Sequence, residues 1–149
     1  MVKIICDNIL NSKEDVIATL VNCSGQKLDS ITKKIYNKYN IDKEYYSIAC
    51  KIKEPRKLLG KSLFMRTETN YIVSMFVKCS FKTQKESIHI NSFIKCLEEI
   101  KQFCLSRDFT LALFLDIKID YESRKWLIVQ EILNEIFINM DIFLYVGGV

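Results

Sequence analysis

The run Val16-Ile17-Ala18-Thr19-Leu20-Val21 constrains the fold of this chain more than any other stretch. A strand with one wet face alternates apolar and polar residues, and this run does not. It reads instead as a strand buried on both faces, the setting of a parallel sheet with helices on either side. Asn22 and Gly25 break the run, as turn residues do. Asp29 or Ser30 then caps a helix whose apolar positions are Ile31, Ile35, Tyr36 and Tyr39. Buried strand, polar loop and amphipathic helix follow in that order. In open α/β sheets, ligands sit on the loops that leave the C-terminal ends of such strands.

The rest of the chain repeats the alternation. Val2–Cys6 reads as a first strand, with Asp7-Asn8-Ile9-Leu10 as its exit. Ser30–Asn40 is the helix after the second strand, and Asp42 heads a short helix through Tyr45, Tyr46 and Ala49 that ends before the only proline, Pro55. Ser62–Arg66 and Tyr71–Val77 are short strands around a Thr67–Asn70 turn. Lys82–His89 is a polar loop, and Asn91 or Ser92 caps a helix with Phe93, Leu97, Ile100 and Cys104 on one face. Thr110–Ile117 is a second doubly apolar strand. Ser123 caps a helix carrying Trp126, Val129, Leu133, Ile136 and Phe137, and Ile142–Val146 completes the sheet. The fold class is therefore α/β: three layers, with a mixed sheet of about six strands flanked by helices. The two doubly apolar strands belong at its centre.

The 149 residues suit a single domain, residues 1–149, with a sizeable core. A formal net charge of +4 is too mild to mark a nucleic-acid binder, and Lys33, Lys34 and Lys38 read as a solvated helix face. No apolar run is long enough to span a membrane. The six cysteines (Cys6, Cys23, Cys50, Cys79, Cys96 and Cys104) show no metal-type spacing. They read as reduced thiols, which makes a cytoplasmic setting the expectation. No P-loop or Gly-x-Ser-x-Gly motif is present, and His89 is the only histidine. A histidine triad, a metal site and a bound cofactor are accordingly not expected.

The strand ending in Asn22-Cys23-Ser24-Gly25, in this order of elements, resembles a macrodomain, an α/β module that binds ADP-ribose and its relatives. The resemblance reaches the whole chain. Cys6-Asp7-Asn8-Ile9-Leu10 looks like the family's turn after the first strand. Read without a gap, Asn8 takes the place of the aspartate that receives the adenine amino group; shifted by one, Asp7 takes it. An Asx turn at a strand end accounts for the same residues equally well. Asn22 matches the asparagine that faces the distal ribose. Tyr71–Lys78 is similar to the family's central edge segment, and Lys78 falls on the nucleophilic lysine of a subgroup like the terminal ADP-ribose protein glycohydrolase. In the same register Glu122 falls on that subgroup's acidic residue. Ile117 and Trp126 hold the register of the second glycine-rich loop.

Where the resemblance fails, it fails at glycines. Leu28-Asp29-Ser30 replaces one Gly-x-Gly, and Lys118 and Asp120 replace the glycines of the second loop. Those glycines let backbone N–H groups approach phosphate and ribose closely. The chain is thus similar to a degenerate macrodomain. The resemblance implies a ligand site at Asp7, Asn8, Asn22, Ser24, Gly25, Lys118, Asp120 and Tyr121, and catalytic roles for Lys78 and Glu122 if activity is kept. Three functions follow from it: binding of an ADP-ribose-type nucleotide or an ADP-ribosylated macromolecule; hydrolysis of ADP-ribosyl bonds by Lys78 and Glu122; or a scaffold that has lost the ligand and contacts a protein partner.

Overall fold

The computed structural model describes residues 1–23, 30–41, 49, 51, 55–79, 87–115 and 123–146. Strand β1 is Val2–Ile5, followed by a 3-10 turn at Ile9–Asn11; β2 is Val16–Asn22 and helix α1 is Ser30–Lys38. A second 3-10 turn, Pro55–Leu58, leads into β3 at Ser62–Arg66 and β4 at Tyr71–Cys79. A two-residue strand β5, Ser87–Ile88, precedes α2 at Ile90–Arg107; β6 is Leu111–Leu115, α3 is Ser123–Ile136 and β7 is Ile142–Val146. The helix expected after Asp42 lies largely outside the described residues.

The sheet runs β1-β7-β6-β2-β4-β3, with β5 paired to β4 beyond the end of β3. β1, β7, β6, β2 and β4 pair in parallel, whereas β3 and β5 are antiparallel to β4. This is the expected mixed α/β sheet, with the short β5 added within the segment read as a polar loop. β2 and β6 lie centrally, as their sequences require: every residue of both is buried.

Alternation along β2 divides the core in two. Val16, Ala18 and Leu20 pack with Phe93, Leu97 and Ile100 of α2 and Val129 and Leu133 of α3. Ile17 and Val21 pack on the other face with Ile31, Ile35 and Tyr36 of α1. The Tyr36 hydroxyl meets the Ser74 hydroxyl at 2.6 Å, a buried polar bond that ties α1 to β4. Trp126 is half-buried against the α2/α3 side of the core.

The start of α2 departs from the expected boundary. α2 is capped by His89 rather than by Asn91 or Ser92: the His89 Nδ1 accepts from the Ser92 N–H at 3.3 Å and lies 2.6 Å from the Ser92 hydroxyl. The chain reaches His89 still paired to β4, because the His89 N–H donates to the Val77 carbonyl at 2.7 Å. The helix therefore begins one residue later, ahead of the customary capping residues. Gly60 lies just ahead of β3, with φ at +84°. A Cβ there would lie 3.2 Å from the Lys95 Cδ of α2, so glycine serves both the turn and the close approach of the helix.

Cys23, Cys96 and Cys104 are buried free thiols, and Cys6 is an exposed one. Burial is the largest cause raising the Cys96 thiol above its ordinary value, and burial pushes Cys104 up to about 12. The thiols of Cys50 and Cys79 lie outside the described residues' side chains. Since the thiolate is the reacting form, brief native alkylation near pH 8 followed by peptide mass spectrometry is expected to label Cys6 and leave Cys96 and Cys104 unlabelled until denaturant is added. Gly60→Ala is expected to lower stability by about 1–2 kcal/mol, because an L-residue is forced to positive φ; equal urea midpoints for the two proteins would contradict this.

Candidate functional site

Parallel pairing places the C-terminal ends of β1, β7, β6, β2 and β4 on one edge of the sheet. Each sequence-predicted site residue within the described chain stands at that edge. Asp7 and Asn8 follow β1, Asn22 ends β2, and Lys78 stands near the end of β4.

Asn22 and Lys78 are brought directly together in the sheet. They are register partners, and pairing shifts between Val21 and Asn22 so that Asn22 meets Lys78 rather than Val77. Such a bulge re-aims side chains at the end of a strand. The Cys23 N–H donates to the Lys78 carbonyl at 3.1 Å, which extends the pairing by one bond. On its other side Lys78 pairs with Ile88 of β5, so the backbone around the lysine is held from both neighbours. Both polar residues are almost fully withdrawn from solvent, Asn22 at 5% and Lys78 at 4% exposure.

The exit of β1 is a self-supporting turn. The Asn8 side chain accepts from the Leu10 N–H at 3.0 Å, and Asp7 Oδ1 accepts from the Asn8 N–H at 2.7 Å and from Asn11 Nδ2 at 3.0 Å. This is the Asx-turn geometry that the sequence allowed. The Lys38 ammonium of α1 donates to the Leu10 carbonyl, so the turn is fastened to the helix that follows β2. Asp7 is exposed and Asn8 half-buried.

Tyr145, near the end of β7, was not singled out from sequence because it ends an apolar strand that reads as core. It pairs with Ile5 of β1 and Phe114 of β6, directly between the β1 exit and the end of β6. Burial raises its hydroxyl above the ordinary phenol value; the nearby Glu14 and Asp7 charges add to that, and a hydrogen bond with Ser12 opposes it. The signal that could have found it is positional: a tyrosine at the C-terminal end of an expected parallel strand.

Ser24, Gly25, Lys118, Asp120, Tyr121 and Glu122 lie outside the described residues. The described residues Cys23 and Leu115, which directly precede these two segments in sequence, stand on the same edge as Asn22 and Lys78. Among the described residues no group of three or more His, Cys, Asp or Glu side chains is arranged to hold a metal ion, and no helix is long and apolar enough to cross a membrane.

No protein-family model matches the chain, and no curated protein is significantly similar to it. Solved structures do match. A protein of unknown function from Bacteroides thetaiotaomicron superposes with a TM-score of 0.80 at 18% identity, covering 98% of both chains. A macrodomain protein from Streptomyces coelicolor gives a TM-score of 0.77 at 12% identity, over 99% of this chain and 100% of that one. Thermosipho africanus DarTG in complex with ADP-ribose gives 0.73 at 13% identity, over 98% of this chain and 41% of that one. Element order, sheet topology and near-complete superposition agree: the chain has the macrodomain fold.

Proposed function

We propose that the chain is a macrodomain-type module that binds an ADP-ribose-type nucleotide across the C-terminal edge of its sheet. The observation that carries this reading is the buried register pair of Asn22 and Lys78 at the ends of β2 and β4. Both polar side chains stand at the C-terminal ends of adjacent parallel strands, the edge where open α/β sheets take their ligands. Support comes from the fold, since a solved relative of the same architecture is a complex with ADP-ribose. In this reading Asn22 faces the distal ribose and Lys78 supplies a cation at the ribose-phosphate end. Asp7 and Asn8 stand at the base end, four strand positions away across the sheet order β1-β7-β6-β2-β4.

The phosphate loops bear on strength. Leu28-Asp29-Ser30 and Lys118-Ile119-Asp120 carry side chains where intact macrodomains have glycines. Each hydrogen bond to a charged group contributes about 1.5–3 kcal/mol, so losing two weakens binding by roughly two to four orders of magnitude. Lys118, Arg124 and Lys125 restore part of this as side-chain charge.

Calorimetric titration with ADP-ribose tests the reading. Saturable binding is expected, weaker than low micromolar, and Asn22→Ala should raise the dissociation constant about tenfold, the equivalent of about 1.4 kcal/mol. A folded wild type that releases no heat and shows no thermal shift at millimolar ADP-ribose would refute the proposal. Incubation of wild type and Lys78→Ala with an ADP-ribosylated protein shows whether binding extends to hydrolysis: release by the wild type alone would assign the chemistry to Lys78.

A further inference from the structure

We infer that β3 is a dimerisation edge: two copies of this chain pair their β3 strands antiparallel about a two-fold axis at Phe64 and join their sheets into one. β3 ends the sheet on the side opposite β1, and its pairing does not depend on which ligand the C-terminal edge takes.

The hydrogen bonds to β4 determine which backbone groups of β3 are left over. The Phe76 N–H donates to the Lys61 carbonyl at 3.0 Å, and the Thr67 N–H donates to the Asn70 carbonyl at 2.8 Å. These two bonds bracket the ladder that runs from Ser62↔Met75 to Arg66↔Tyr71. They fix its alternation, so that Leu63 and Met65 turn their N–H and C=O groups toward β4. Ser62, Phe64 and Arg66 turn theirs outward, and among the described residues no strand pairs with that side.

Because Phe64 lies midway between Ser62 and Arg66, this outward set is self-complementary. An antiparallel copy centred on Phe64 sets Phe64 against its own counterpart and each Arg66 against a Ser62. Every such facing pair exchanges two hydrogen bonds. No like charges meet, which would be unfavourable directly across a ladder. Leu63 meets Met65 of the second copy on the α1 side. On the α2 side the Phe64 rings meet, each braced by Phe103 at 4.6 Å between centroids. The Arg107 guanidinium in turn covers Phe103, 3.9 Å from its centroid.

Edge strands that avoid association commonly carry a central charge or a proline. β3 has neither: Lys61 and Arg66 stand at its ends, and its middle, Leu63-Phe64-Met65, is apolar. The opposite edge differs. β1 is four residues long, and the bond from the Ile142 N–H to the Met1 carbonyl leaves Val2 and Ile4 as its outward residues. A two-fold pairing that uses both centres on Lys3 and sets that lysine against its own copy. In the β3 dimer the two-fold axis stands perpendicular to the joined sheet, so the two C-terminal edges point in opposite directions.

Sedimentation velocity on wild type, Arg66→Pro and Arg66→Ala, from about 1 μM to about 1 mM protein, tests this. Arg66 is exposed and its N–H faces outward, so proline removes an intermolecular donor without breaking the ladder to β4. Alanine keeps that donor. Wild type and Arg66→Ala are expected to rise from 17.5 kDa toward twice that mass. Arg66→Pro is expected to need about tenfold more protein to reach the same mass, with an unchanged thermal midpoint. Residue-resolved amide exchange on the wild type gives a second measurement that needs no variant. The Ser62, Phe64 and Arg66 amides should slow as concentration rises, while those of Leu63 and Met65 are protected throughout. A wild type that stays at 17.5 kDa over the whole range would overturn the inference. So would a dimer in which the three outward amides exchange as fast as in the monomer, or one that proline and alanine at position 66 weaken equally.

Discussion

Every residue of β2 is withdrawn from water, and that burial makes the backbone the governing constraint. A strand buried on both faces has no solvent for its N–H and C=O groups, so both of its edges must be paired. β4 and β6 are therefore obligatory neighbours, and their registers with β2 fix where each of the three strands ends. The site inherits its geometry from this. Asn22 and Lys78 meet because the β2–β4 ladder runs to the last residue of β2, with one bulge at its end. The helices then follow from the side chains: even-numbered residues of β2 demand α2 and α3, and odd-numbered ones demand α1.

The sequence was most legible where burial writes a pattern. The doubly apolar Val16–Val21 and Thr110–Ile117 runs identify the two central strands, and Phe93, Leu97, Ile100 and Cys104 mark the buried face of α2. Asn22 and Lys78 were legible as site candidates because strand ends were predictable and the family resemblance supplied the register. Three things were not legible. The cap of α2 was misplaced because histidine accepts through Nδ1 only when its ring is held, here by the Ser92 hydroxyl. Tyr145 was hidden in an apolar strand. The choice between Asp7 and Asn8 was degenerate, since a one-residue shift costs nothing in sequence and both side chains serve the same exit turn.

Polar groups inside the sheet are handled differently on its two faces. On the α1 side the Tyr36–Ser74 bond satisfies a phenol and a hydroxyl by pairing them with each other. On the α2/α3 side the described core is almost wholly aliphatic and aromatic, with Cys96 and Cys104 serving as small apolar groups whose ionisation burial suppresses. On the α1 side, Lys38 also reaches across to the β1 exit.

The strand order carries a consequence for how the molecule comes into being. Asn22 and Lys78 belong to a ladder between β2 and β4 that the first half of the chain can form. Asp7 and Asn8 belong to β1, and β1 joins the sheet only through β7, whose Val2–Ile142 and Ile5–Tyr145 pairings link the two extremes of the sequence. Contacts of such long separation form slowly because the intervening loop must first close. During synthesis the candidate-site residues on β2 and β4 can thus be in place while those after β1 still wait for the final strand. The C-terminal edge becomes continuous only when β7 pairs with both β1 and β6, so its completion reports that the whole chain has folded.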